Sequence, residues 1–388
     1  MKLFFLLTAS ALSALSLVSA QFSIPLHRDA KEGNVNRTAL LDREAKRVAA
    51  KYAKHAEVHF KRTGEHLGVV NDTTLNRRLD SGEAKLELAD LNALVGEIQV
   101  GTPGQKHKIM CDTGSPDLII RGGSYKPQDS NTSKDQHKKF TENYLGSEVH
   151  GSLYSDEVKV GGVEAKNVIF GSMRTNDAAI TDDENLVGLF GLSFPTLSSF
   201  DTHKPHTFVE LAKEQNSNYD NVFQFLLKKN DDARINIGKI DESQVDGETA
   251  WVDVDSSDYH WKADIQINGI ESSGIVDSGT RHIFGKNEDV KKVLDAIDGL
   301  EIKKSGSGDW QGWYNCDDPP EVNIMVADKE VKMRQDAMFG GRNNGRCQLT
   351  IAGYQGVPEW VFGEPFLQMF SVIFDFDNER LGFGKLKY

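Results

Sequence analysis

Three cysteines in 388 residues, Cys111, Cys316 and Cys347, are too few to build a disulfide scaffold. No group of His, Cys, Asp and Glu has spacing that suits a metal. No glycine-rich phosphate loop or dinucleotide fingerprint falls at a strand–helix junction. No metal or cofactor is therefore expected. Past the first twenty residues no run is apolar for long enough to cross a bilayer. The last residues, Gly382-Phe383-Gly384-Lys385-Leu386-Lys387-Tyr388, lack the hydrophobic tail of a lipid-anchor signal. Membrane attachment is not expected. Nor is nucleic-acid binding, since a basic arm for nucleic acid does not suit a chain that reads as exported.

What is present is unevenly arranged. Met1-Lys2, an apolar run from Leu3 to Leu7 and the small residues Val18-Ser19-Ala20 describe a secretory signal peptide over residues 1–20. Residues 21–78 carry 12 Lys/Arg against 7 Asp/Glu, a net of +5; with Lys2 set aside, the rest of the chain nets −19. A basic arm ahead of an acidic body can dock on it by complementary potential. Asn36 to Ala56 has few breakers, and Leu40, Leu41, Val48 and Tyr52 fall roughly on one helical stripe. Arg77-Arg78 closes the arm, and Lys61-Arg62 is a second dibasic pair; Arg77-Arg78 is the expected processing site.

Beyond Leu86 the chain changes to short strand-like runs broken by Gly, Asn, Asp and Pro, as in Glu97–Val100, Glu157–Val160, Ala263–Ile267 and Ser371–Phe374. This pattern predicts a mostly antiparallel, all-β body with few helices, chiefly near Phe208–Gln215 and Asn287–Ile297. Cys316 and Cys347 lie in similar polar, loop-like stretches and are the expected disulfide. Cys111, in the apolar Ile109-Met110-Cys111, reads as a buried small hydrophobe. Of three Asn-x-Ser/Thr triplets, only the one at Asn131 falls in the body, as a candidate glycan acceptor.

A weak internal repeat organises the body. Asp112-Thr113-Gly114-Ser115 follows an apolar strand, with Leu189-Phe190-Gly191 further on; Asp277-Ser278-Gly279-Thr280 follows Ile275-Val276, with Val361-Phe362-Gly363 further on. One Asp-Thr-Gly alone is ordinary turn chemistry. Two copies in matching contexts, one per half, point to paired carboxylates. Two carboxyls about 3 Å apart cannot both ionise, so they share a proton. One can then act as general base on a water while the other acts as general acid on a carbonyl oxygen.

From about Leu86 to Tyr388 these motifs resemble the pepsin family of aspartic proteases. Ile98-Gln99-Val100-Gly101-Thr102-Pro103 is similar to the family's early strand and turn. Gly188–Leu192 and Val361–Gly363 are similar to its segments behind the active-site loops. The resemblance implies a bilobal β fold with a cleft between lobes at 79–245 and 246–388. It implies catalysis by Asp112 and Asp277, supported by Thr113, Gly114, Ser115, Ser278, Gly279 and Thr280. It also implies a substrate-binding flap carrying Tyr144 and Gly146, and a bridge between Cys316 and Cys347. The departures are Pro116 in place of Ser, Ile119 in place of the Trp that usually bonds the flap tyrosine, and Arg281-His282 after the second motif. The expected product is a secreted, monomeric endopeptidase of peptide and protein substrates, made as a zymogen. Its own propeptide, residues 21–78, is expected to be the inhibitor, with a lysine such as Lys51, beside Tyr52, set near the aspartates. Two competing readings, a silent binding module of the same fold and a plain extracellular β-sandwich, require an aspartate to be lost or the repeat to be turn chemistry.

Overall fold

The computed structural model describes residues 22–28, 37–67, 94–144, 147–174, 186–200, 202, 205–217, 219–228, 233–255 and 259–387. The signal segment, Asn36, Asn71 and the Arg77-Arg78 pair lie outside these residues. Two sheets dominate, one of thirteen strands and one of ten. The all-β expectation holds.

Strand alternation follows the sequence. In Leu94–Val100, Ile98 and Val100 point into the core while Glu97 faces out. The runs Val222–Leu227 and Phe370–Asp375 are buried at every position, as expected of strands covered on both faces. Phe370–Asp375 pairs with Val222–Leu227, and Arg380–Leu386 pairs with Val245–Asp253, so the C-terminal strands tie the halves of the chain into one sheet. Gln224, polar within its apolar run, is satisfied by Ser371, Asn236 and the Asp241 amide. Trp261 packs on Phe194 and Phe374 and donates its indole N–H to Leu192 O at 3.0 Å, joining the two halves behind the cleft.

The internal repeat is a structural repeat. The strand ending in Asp112 (Gln105–Asp112) runs parallel to Gly188–Gly191, and Ile270–Val276, just before Asp277, runs parallel to Trp360–Phe362. In each half a short antiparallel strand, Leu118–Ile120 or Ile283–Gly285, pairs with that second strand. The helices Phe208–Gln215 and Asn287–Asp295 fall where expected; Thr207 and Glu210 close the first with a capping box.

Two elements of the basic arm are described. Phe22–Arg28 adds antiparallel to Ala233–Ile237, a strand the sequence reading does not anticipate. The helix α1 spans Arg37–Thr63, about 40 Å long at 1.5 Å per residue, and runs beyond the Asn36–Ala56 expectation. Its buried stripe includes Leu41, Ala45, Val48 and Tyr52, packed on Ile275, Phe284, Val357 and Val361 of the body. Among the described residues no helix is long and apolar enough to cross a membrane.

Cys316 and Cys347 form a disulfide across a 31-residue separation. A closed loop of that size contributes about 3–4 kcal/mol in the chain-entropy account. Cys111 is free and fully buried, and burial pushes its thiol up to about 12.

Candidate active site

Each aspartate sits where a central strand ends and the chain must turn. Gly114 N donates to Asp112 Oδ1 and Gly279 N to Asp277 Oδ1, both at 2.9 Å. Ser115 Oγ and Thr280 Oγ1 donate to the Oδ2 atoms of Asp112 and Asp277, each at 2.6 Å. The two loops also clasp one another. Thr113 Oγ1 donates to Val276 O at 3.0 Å and Ser278 Oγ to Cys111 O at 2.8 Å. Each hydroxyl in turn accepts the opposite loop's amide at 2.9 Å. This reciprocal pairing is why hydroxyl residues follow both aspartates. The glycines are required by space. A Cβ on Gly114 would lie 2.5 Å from Asp277 Oδ1, and one on Gly279 would lie 2.3 Å from Asp112 Oδ1.

Asp112 and Asp277, far apart in sequence, thus meet at the centre of the molecule, both fully buried. Lys51 of α1 lies between them: its Nζ is 3.0 Å from Asp112 Oδ1 and 2.8 Å from Asp277 Oδ2. Tyr52 OH donates to Asp277 Oδ2 at 3.0 Å. Burial alone would raise Asp277, but Lys51, with hydrogen bonds from Asp112 and Thr280, outweighs it and holds the carboxyl well below its usual range. At Asp112 burial prevails over Lys51, with Asp277 adding to the rise. The two carboxyls are thus pushed in opposite directions, and the Lys51 ammonium lies within hydrogen-bond distance of both.

Further polar groups of α1 complete the contact. Glu44 pairs with Arg47 and accepts the Arg281 amide at 3.1 Å, and Arg47 also bonds Gly279 O. Burial would raise Glu44; Arg47, with Arg281 and His282, outweighs it and holds it near 2. The departure at Arg281 therefore faces a carboxylate of the arm. His55 Nδ1 lies 3.1 Å from His260 Nε2, both rings buried beside Tyr52. At the far end Arg62 donates to the carbonyls of Thr196, Ser198 and Phe200, so one of the two dibasic pairs is engaged with the body. Sequence reasoning overlooked Glu44, Arg47, His55 and His260. For the three on α1 the available signal was Glu44, Arg47, Lys51 and His55 at i, i+3, i+7 and i+11, beside the apolar stripe; His260 carried none.

The flap hairpin is formed by Lys134–Tyr144 and Ser147–Val160, with Tyr144 opposite Ser147. Gly146 and the side chain of Tyr144 lie outside the described residues. Ile119 packs with Phe140 and Val149 of this hairpin, so the position expected to bond the flap tyrosine makes an apolar contact instead. Asn131 is exposed. No group of three or more His, Cys, Asp and Glu among the described residues could hold a metal.

Residues 93–386 match the eukaryotic aspartyl protease family. The chain is 32% identical over 314 residues to secreted aspartyl protease 1 of Malassezia globosa, covering 80% of this chain and 78% of that protein. A probable inactive secreted aspartyl protease of the same organism is 27% identical, covering 82% of this chain and 85% of the relative. Cathepsin D of Gallus gallus is 26% identical, covering 75% and 80%.

Proposed function

The chain belongs to the eukaryotic aspartyl protease family and is an aspartic-type endopeptidase; from that premise we propose that Asp112 and Asp277 hydrolyse peptide bonds as a pair, in acid, after release of an inhibitory arm. The observation that carries this reading is the single buried centre at which both carboxylates bind one Lys51 ammonium. That ammonium stands where a water would sit in the open enzyme. The ionised carboxylate takes a proton from the water as it attacks the scissile carbonyl carbon. The protonated one donates to the carbonyl oxygen; the carboxyl that took the water's proton then passes it to the nitrogen as the C–N bond of the tetrahedral species breaks, while the other carboxylate takes back a hydroxyl proton as the carbonyl re-forms. Thr113, Ser115, Ser278 and Thr280 position the carboxyls, Gly114 and Gly279 let them meet, and Tyr144 and Gly146 belong to a flap over the substrate. Both aspartates are present and well held, which favours this over the silent binding module.

Lys51 and Tyr52 bonded to the aspartates support a zymogen in which the pro-segment, residues 21–78, inhibits the lobes at 79–245 and 246–388; the dibasic Arg77-Arg78 of the sequence is the processing site that goes with this reading. The secreted relative supports an extracellular site of action for a monomeric enzyme, with Asn131 as its glycan position.

Acid release has a stated sign. Burial, then His260 and Lys51, hold the docked His55 well below 6.5, with Lys54 adding to the depression and Asp277 opposing it. A group depressed on docking stabilises the docked state above its free pKa, and that stability is lost as pH falls through the docked value. Glu44 behaves the same way, losing its contribution below about 4.5 as pH falls toward 2. Glu142 opposes them: burial and Asp117 raise it to about 8 when docked, so its proton favours docking in acid. That opposition stops growing once pH reaches its free value near 4.5, while Glu44 continues to drive release. His55→Gln keeps a polar side chain but cannot titrate. Acidified wild-type protein is expected to digest denatured haemoglobin and to be stopped by a statine peptide. The variant should need pH lower by about 0.5–1 unit to reach half-maximal activation. A midpoint that is unchanged or higher removes the histidines from the switch.

A further inference from the structure

Glu142 lies on the flap strand Lys134–Tyr144, on the face that also carries the buried Phe140. It is only 8% exposed, and its Oε1 has no hydrogen-bond partner among the described residues. It lines a cavity with Ser115, Pro116, Asp117, Leu197 and Ser199, immediately beside the loop that holds Asp112. Asp117 is fixed there by Ser198 Oγ at 2.6 Å and Ser199 N at 3.0 Å. Two carboxyls facing one cavity, one of them buried and unpartnered, is an arrangement that packing alone does not favour.

A cation of the arm also borders this cavity. Lys54 of α1 lines it, and its charge pulls Glu142 down against burial and Asp117. The ammonium also lies 3.7 Å from Glu57 on the same helix, and His55 borders the cavity. With α1 in place about 30 Å³ remains, room for roughly one or two waters. Removal of the arm vacates the lysine's place.

We propose that the Asp112 side of the cleft holds an acid-lined subsite, formed by Glu142 and Asp117, that takes a lysine or arginine side chain of the peptide substrate. Pro116 and Leu197 supply apolar surface for the aliphatic stem, and the carboxyls receive the charged head. Lys54 of the pro-segment is the internal occupant of the same site. This assignment rests on the endopeptidase reading and adds a substrate class to it.

The test is cleavage of a random peptide library by the acid-activated enzyme at the highest pH at which it stays active, because burial favours the neutral form of Glu142 and a basic head must draw its proton off. Lys and Arg should be enriched at one position on one side of the cut bond. Between two peptides that differ only by Lys or norleucine at that position, kcat/KM should favour Lys by about 10- to 100-fold. Glu142→Gln should reduce that ratio to within about twofold, and Glu142→Lys should turn the preference toward Glu. A library profile without basic enrichment at any position overturns the subsite, as does a Glu142→Gln enzyme that keeps the ratio. The wild-type profile decides the matter even if neither variant folds. Wild-type protein that cleaves nothing, or an Asp112→Asn protein that still cleaves, would instead count against the endopeptidase reading.

Discussion

Asp277→Asn protein is expected to fold with its arm, to respond to acid, and to cleave denatured haemoglobin at least about 10³-fold more slowly than the wild type. The substitution keeps the side-chain volume; the amide oxygen can still accept from Gly279 N, and the Thr280 hydroxyl can rotate to accept from the amide NH2. What is lost is the shared proton. An amide is neither a base for water nor an acid for the carbonyl oxygen, so both halves of the chemistry fail together. Asp112→Asn should behave alike, because Gly114 and Ser115 hold Asp112 in the same way. The two losses should not add in the double variant, since each alone disables the same unit. Intact near-ultraviolet circular dichroism would separate lost chemistry from lost fold. A singly substituted enzyme with wild-type kcat/KM would show that the pair is not the reacting group.

Lys51→Met should open the precursor at neutral pH. Removing one partner of a buried ion pair costs about 3–5 kcal/mol, because the remaining charge is left uncompensated. Here that charge belongs to two carboxyls with no access to water. The arm would still be held by the apolar stripe through Leu41, Val48 and Tyr52 and by Arg62 at its far end. The balance between docked and open states should nonetheless move by about 10²- to 10⁴-fold toward open. The readout is affinity of the uncleaved precursor for a statine peptide near neutrality. Apparent Kd is the intrinsic value divided by the open fraction, so it should tighten by the same factor until opening is complete. Lys51→Arg, which keeps the charge, should recover part of the latency. Unchanged affinity in Lys51→Met would mean that the helix blocks the cleft by packing alone.

How far the molecule is legible in its sequence depends on whether a feature has a local signature. The duplicated aspartate loops are legible because each copy repeats the order apolar strand, Asp, hydroxyl, Gly, hydroxyl, and because those residue types are what a clasped pair of loops requires. The disulfide and the buried Cys111 are legible from the polarity of their neighbours. The helix of the basic arm shows in its stripe, although its length does not, since Thr63 and not Ala56 ends it. The strand Phe22–Arg28 is hidden because its partner, Ala233–Ile237, lies some two hundred residues away and supplies the pairing. Glu142 with Asp117, and His55 with His260, are hidden for the same reason. Each is unremarkable in its own segment and acquires meaning only when the fold buries it against a distant group. Ile119 is instructive in another way. Its loss of a polar handle is plain in the sequence, but only the structure shows that Phe140 and Val149 supply an apolar contact for it on the flap hairpin.

The most direct test of the paired-carboxylate account is the pH dependence of kcat/KM for the processed enzyme on a small peptide without titrating groups. A pair sharing one proton is active only while it holds that proton, so the account predicts a bell with both limbs below neutrality. A rate that rises through neutrality to a plateau, as a lone base titrating near 7 would give, would contradict it.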